Sequence, residues 1–333
     1  MLQNKFAVAW LASLLGALVA SPGCAGNFQD NPDVQAFIEE MEERHQFDRK
    51  ELEALFDQAK KRDDIIAAIS RPAEKTKPWH EYRNIFLTPK RIDGGVSFWK
   101  ENEAILKRAE QAYGVDPAVI VAIIGVETRY GANTGSYRVI DALSTLAFAY
   151  PPRSKFFRSE LEQFLILARE EDVDVRKAKG SYAGAMGYGQ FIPSSYRAYA
   201  VDFSEDGKRD LWGSLEDIVG SVANYFDRHG WSAGEPVASK VNSTSQVDSS
   251  LVAKNTKPGK KTAGDFSAAG VATDPPLPED QSVVLLEFEQ TNGPEYWLTA
   301  NNFYVITRYN RSPLYAMAVY QLSEAIRDAY QKS

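Results

Sequence analysis

Cysteine is all but missing: the 333 residues contain one, Cys24, so no intrachain disulfide can form. Histidine is scarce, with three in all, and no Ser-His-Asp arrangement can be read from their positions. His229 has no histidine or cysteine near it in sequence, which leaves zinc unsupported and makes it a packed or capping residue. Basic residues never accumulate in a block. With 38 basic against 45 acidic residues the net charge is −7, which argues against a nucleic-acid partner. No internal repeat is visible, and beyond the first twenty residues no apolar run is long enough to span a membrane. What is abundant is ordinary globular material. The 44% hydrophobic content supports a sizeable core, in one large domain or two to three small ones.

The N-terminus stands apart from that material. Lys5 precedes an apolar run, Phe6–Ala20, and small residues with a proline follow at Ser21-Pro22-Gly23-Cys24-Ala25. A charged start, a short apolar stretch and a small-residue exit predict a secretory leader over residues 1–26. Cys24 lies where a bacterial lipoprotein is cleaved and acylated, although Ser21 and Pro22 are poor residues for that signal. A lipid anchor in the outer membrane and ordinary cleavage therefore stand as equal alternatives. Both place the mature protein outside the cytoplasm.

Apolar spacing then predicts a mainly helical (α+β) chain. Residues 33–68 read as two amphipathic helices, and residues 71–95, punctuated by Pro72, Pro78 and Pro89, as a packed connecting segment. Ser97–Tyr113 reads as one helix, and Asp116-Pro117 as an N-cap and first-turn proline that start another. Further helices are expected over 139–149, 159–170, 215–229 and 312–330. Residues 237–280 are poor in large apolar side chains. Ser282–Glu289 alternates like a strand, with a turn at Asn292-Gly293. The expected division is a leader (1–26), an N-terminal helical domain (27–95), a catalytic core (96–236), a small β insertion (237–300) and a C-terminal cleft-lining segment with its helix (301–333).

Two segments carry chemistry. The first is Pro117–Tyr130, apolar nearly all round and therefore a buried helix, with one carboxyl, Glu127, close to its end. Ile123 and Ile124 share its face, and Gly131 is a natural stop. Burial and the negative end of the helix dipole both favour the protonated acid, the form needed to cleave a glycosidic bond. The competing explanation is a glutamate neutralised by an arginine, for which Arg129 is badly placed within the helix. The second is Gly184–Tyr196. Its glycines allow close backbone approach, Gln190 offers a donor and an acceptor for sugar hydroxyls, and Tyr188, Phe191 and Tyr196 offer flat apolar surface. A plain glycine-rich turn explains the same residues.

Five stretches in order, 121–131 (VAIIGVETRYG), 184–196 (GAMGYGQFIPSSY), 202–212 (DFSEDGKRDLW), 220–231 (GSVANYFDRHGW) and 302–319 (NFYVITRYNRSPLYAMAV), give the sequence its resemblance to the lytic murein transglycosylase B family. That resemblance implies a lysozyme-like helical core with a helical domain and a small β domain. It implies cleavage of peptidoglycan between N-acetylmuramic acid and N-acetylglucosamine, leaving 1,6-anhydromuramic ends and needing no catalytic cofactor. Glu127 is then the acid and afterwards the base, and Gln190 a sugar contact beside the cleaved bond. Ser181, Arg153, Tyr188 and Phe191 become glycan or peptide contacts, while Tyr309, Asn310 and Tyr315 match residues that line the cleft. A periplasmic monomer, with other cell-wall enzymes as further partners, fits the same picture. Hydrolysing glycosidases pair two carboxylates. None stands beside Glu127 in these motifs, although Asp141 or Glu160 could fold close to it. The alternatives are a muramidase that uses water and a murein-binding protein without activity.

Asp202-Phe203-Ser204-Glu205-Asp206-Gly207-Lys208 has the ligand order of an EF-hand, with Asp202, Ser204 and Asp206 as side-chain ligands, the Lys208 carbonyl, and glycine at the sixth position. The twelfth position holds Gly213 in place of glutamate, so Glu216, or with less support Asp217, is expected to close the site. A solvated acidic turn is the other explanation. The resemblance favours structural Ca²⁺.

Overall fold

The computed structural model describes residues 28–70, 77–242 and 247–333, so the leader and Cys24 lie outside the described residues. Where two helices were expected at the start there are three: α1 (Pro32–His45), α2 (Arg49–Gln58) and α3 (Asp63–Ile69). Asn31 and Asp48 cap the first two through their side chains, and Gln46 ends α1 in a left-handed conformation. The connecting segment also holds more helix than its prolines suggest. It contains α4 (Trp79–Phe86) and the start of α5 (Pro89–Glu101), which Thr88 caps.

Helix α5 runs through residues 95 and 96, where a domain boundary was expected, and the expected helix 97–113 is divided. Asn102 separates α5 from α6 (Glu103–Tyr113), and its side-chain amide donates to the Phe98 carbonyl. This local bond competes with helix continuation, as asparagine side chains do.

Beyond α6 come α7 (Pro117–Thr128), α8 (Val139–Ala149) and α9 (Ser154–Glu170). Two short strands, β1 (Tyr137–Arg138) and β2 (Lys179–Gly180), pair antiparallel on either side of α8 and α9 in sequence. Helices α10 (Pro193–Tyr199) and α11 (Leu215–Arg228) follow. The helices share one hydrophobic core from Val34 to Ile326, with α7 at its centre: ten of its twelve residues are buried.

The β insertion comprises β3 (Ala238–Val241), α12 (Ala263–Ala268), β4 (Thr273–Asp274), β5 (Val284–Gln290) and β6 (Gly293–Thr299) in the strand order β4-β3-β6-β5. Successive strand side chains point to opposite faces. Leu285 and Leu298 close a small core with Phe266 and Val271, while Leu286, Phe288 and Trp297 join the main core. Phe288 lies edge-on to Trp79 of α4 at 5.6 Å. The chain then returns to the helical body through α13 (Asn301–Tyr309) and α14 (Pro313–Gln331). Among the described residues no single helix is long and apolar enough to cross a membrane.

Candidate active site

Helix α7 forms where the sequence places it. The Asp116 side chain accepts from the Ala118 amide at 2.8 Å, and Pro117 occupies the first turn. It stops two residues before Gly131, because Arg129 and Tyr130 themselves adopt left-handed backbone, φ 53° and 60°. Their amides reach back to the carbonyls of Gly125 and Ile124 and satisfy the last turn.

Glu127 lies in that turn and is half-buried, where the sequence predicted a buried carboxyl. The Tyr315 hydroxyl of α14 donates to its Oε1 at 2.5 Å. Burial first, and the Glu127 charge second, hold the Tyr315 and Tyr309 phenols well above their usual range, so both stay protonated as donors. Arg129, the residue that caps the helix, is exposed. The other two carboxyls considered are engaged elsewhere. Asp141 accepts from Arg138 at 2.6 Å and from the Lys60 amide at 2.9 Å. Glu160 accepts from the amide and hydroxyl of Ser194 at the start of α10.

The glycine-rich loop is suspended beside Glu127 from two elements. On one side Thr128, the residue after Glu127, donates from Oγ1 to the Tyr188 carbonyl at 2.9 Å. On the other, the Tyr309 hydroxyl at the end of α13 donates to the Gly189 carbonyl at 2.7 Å. Gly131 faces the Tyr188 ring so closely that a Cβ there would overlap it. Gln190 takes positive φ, and its amide nitrogen donates to Gly187 at 2.9 Å and Thr134 at 3.1 Å. Glu127, Tyr188, Gln190, Tyr309 and Tyr315 thus converge, with Asn310 adjoining Tyr309 in extended backbone at the end of α13.

The remaining expected contacts divide. Ser181 shapes the loop, its Oγ accepting from the amides of Ala183 and Ala185. Arg153 is exposed at the start of α9 and stacks on Phe156 and Phe157 at 4.3 and 5.0 Å. Phe191 does not face a sugar. It is 3% exposed and wedged against Tyr225 and Tyr309, supporting the loop from the core. Tyr315, expected to line the cleft, is also 3% exposed and meets the carboxyl of Glu127. Tyr196 is fully buried, its hydroxyl bonded to the Arg209 carbonyl. Thr128 escaped the sequence reading. Its signal was a small hydroxyl residue between Glu127 and a left-handed turn.

The acidic loop between α10 and α11 gathers Asp202, Asp206 and Asp217, with carboxylate oxygens within 4.8 Å of one another. Asp217, not Glu216, turns toward the loop. Helix α11 begins at Leu215 under a Ser214 cap, so residue 217 is the one directed back at the loop. Its Oδ1 accepts from the amides of Phe203 and Ser204, and its Oδ2 from that of Asp210. The Ser204 hydroxyl donates a hydrogen bond to Asp202, and the Lys208 amide donates to Asp206. Oxygen donors alone fit a hard cation such as Ca²⁺. His229 is packed, as expected. It stacks on Tyr225 at 4.1 Å, and burial lowers its pKa.

A lysozyme-like helical body with one carboxyl at the end of its central helix, facing a glycine-rich loop, defines an enzyme acting on glycans. Residues 29–324 match the family described as the transglycosylase SLT domain. The chain belongs to that family and is a transglycosylase. It is 46% identical to the membrane-bound lytic murein transglycosylase B of Escherichia coli K12 over 317 residues, 90% of this chain and 84% of that protein. Among solved structures it resembles the soluble lytic transglycosylase SltB1 of Pseudomonas aeruginosa, with 51% identity, TM-score 0.83, and 90% and 99% of the two chains covered. It also resembles the Escherichia coli lytic transglycosylase Slt35 in complex with calcium, with 46% identity, TM-score 0.83, and coverage of 92% and 96%.

Proposed function

We propose that this enzyme cleaves the β-1,4 bond between N-acetylmuramic acid and N-acetylglucosamine in peptidoglycan, without water, and that Glu127 alone moves the proton. The observation that carries this reading is the pairing of a single half-buried carboxyl with a protonated phenol. The Tyr315 hydroxyl donates to Oε1 and fixes the carboxyl that carries the proton.

Glu127 gives that proton to the glycosidic oxygen as the bond from the muramic anomeric carbon breaks. The substrate's own acetamido group stabilises the cationic carbon. The carboxylate, steadied by the Tyr315 hydrogen bond, then takes the proton of the muramic 6-hydroxyl as that oxygen bonds to the anomeric carbon. One C–O bond breaks, one forms, and Glu127 ends as it began. Gln190 and Tyr188 hold the sugars at the cleaved bond, and Ser181 and Arg153 serve the glycan or its peptide further out. Mass spectrometry of digested sacculi is expected to show anhydromuramic ends, one water lighter than the reducing ends of a hydrolase. Reducing ends in their place overturn the reading in favour of a muramidase.

The loop at Asp202, Ser204, Asp206, Lys208 and Asp217 would hold Ca²⁺ as a structural ion, supplying charge to the fold and nothing to the reaction. At calcium a hundredfold above its dissociation constant, linkage adds about 2.7 kcal/mol to stability. Chelation is therefore expected to lower the melting temperature by about 5 °C. An unchanged melting curve would show the loop to be a plain acidic turn. The leader read over residues 1–26 supports action in the periplasm, either free or tethered through Cys24.

A further inference from the structure

The apolar stripe of α5 that faces the core contains an arginine. Arg91, Gly95 and Phe98 are its buried residues, at spacings of four and three. Arg91 is 8% exposed, and its side-chain hydrogen bonds go to backbone carbonyls, with no carboxylate among the charges that shift it. Burial, and then Arg129, pull its pKa down. A buried cation without a counter-ion is costly, and a leucine would suit such a stripe better.

Its hydrogen bonds show what it does. One guanidinium nitrogen donates to the Gly125 carbonyl at 2.5 Å and reaches that of Val126 at 3.4 Å, and the other reaches Ile85 at 3.4 Å. Gly125 and Val126 are the two residues immediately before Glu127. The Arg91 carbonyl is used as well. It accepts from the Tyr130 hydroxyl at 2.7 Å, and Tyr130 lies three residues after Glu127. To get there the chain passes through two non-glycine residues in left-handed backbone, a conformation that persists only where the surroundings enforce it. The Tyr130 ring lies where α5 and α7 expose backbone. A Cβ on Gly94, Gly95 or Gly125 would stand 2.9, 2.7 or 2.5 Å from Tyr130 atoms. Phe98 stacks on the same ring at 5.7 Å.

We propose that Arg91 and Tyr130 form a clasp on both sides of Glu127 and are positioning residues for its carboxyl. The proposal rests on Glu127 being the acid/base. The side chain of Arg91 fixes the turn that precedes Glu127, and its carbonyl fixes the turn that follows. Displacement of a reacting group by about 1 Å can cost about 100-fold in rate.

Kinetics on purified glycan strands test it. Arg91→Met is expected to lower kcat about 10- to 100-fold with KM within about twofold. Arg91→Lys restores part of the loss, because the charge remains while the fork is gone. Tyr130→Phe keeps the ring in its glycine bed, removes one hydrogen bond, and is expected to lower kcat about fivefold. Circular dichroism and melting curves show whether each variant folds. If Arg91→Met does not, the Lys and Phe variants decide. Folded variants with kcat within twofold of wild type, or with the loss confined to KM, overturn the clasp. Glu127→Gln is measured alongside. Activity in that variant overturns the underlying reading, whereas an inactive Glu127→Gln beside a fully active Tyr130→Phe overturns only the clasp.

Discussion

Glu127→Gln is expected to reduce release of soluble muropeptides from purified sacculi by about 10³-fold, while the variant still sediments with them. The expectation follows from the division of labour at the site. An amide of the same shape still accepts the Tyr315 hydroxyl hydrogen bond at its oxygen, so α7, α14 and the loop keep their arrangement. It can neither give a proton to the glycosidic oxygen nor take one from the 6-hydroxyl. Asp141 is held by Arg138 and Glu160 by Ser194, which leaves neither of them free as a substitute. A variant that lyses sacculi at the wild-type rate would show that another group moves the proton. Loss of sedimentation together with activity would show that Glu127 acts in binding.

The largest expected loss of stability lies elsewhere. Asp217→Ala should lower the unfolding free energy by about 3 kcal/mol or more, read from denaturant melts with chelator present throughout. Asp217 is fully buried and accepts from three backbone amides of the 202–210 loop, those of Phe203, Ser204 and Asp210. Each donor left without a partner costs about 1–3 kcal/mol, and alanine supplies no replacement. Chelator separates this role from that of any bound cation, because the three hydrogen bonds are made without one. Glu216→Ala, one residue earlier and half-buried, is the matched control. Equal effects of the two substitutions would refute the placement of Asp217 as the residue that closes the loop.

These two sites also show what a sequence discloses and what it withholds. Helix α7 was legible because ten apolar or small residues in a row admit no solvent face, and its Asp-Pro start is local chemistry. The choice between Glu216 and Asp217 was not, since it turns on which residue begins α11 and therefore which side chain is directed back at the loop. Phe191 was misread for a related reason. An aromatic ring in a glycine-rich loop suits a sugar platform and a core plug equally well until Tyr225 and Tyr309 are known to pack on it. Tyr315 stands 188 positions from Glu127, and no local pattern reports a partner at that range. Asn102 divides what the apolar spacing made one helix, because the spacing records buried faces and not a side chain that bonds its own backbone. Arg91 could have been noticed as a charge on an otherwise apolar stripe with Gly95 and Phe98.

Helices α7 and α14 are joined at both ends. Arg327 binds the Asp116 cap at 2.7 Å, and Tyr315 binds Glu127, eleven residues and about 16 Å along α7. The later member of each pair comes from the last stretch of the polypeptide. A chain that extends only as far as Ser312 contains Glu127 with Arg91 and Tyr130 around it, but lacks the phenol that meets its Oε1 and the guanidinium that meets the cap at the other end of α7.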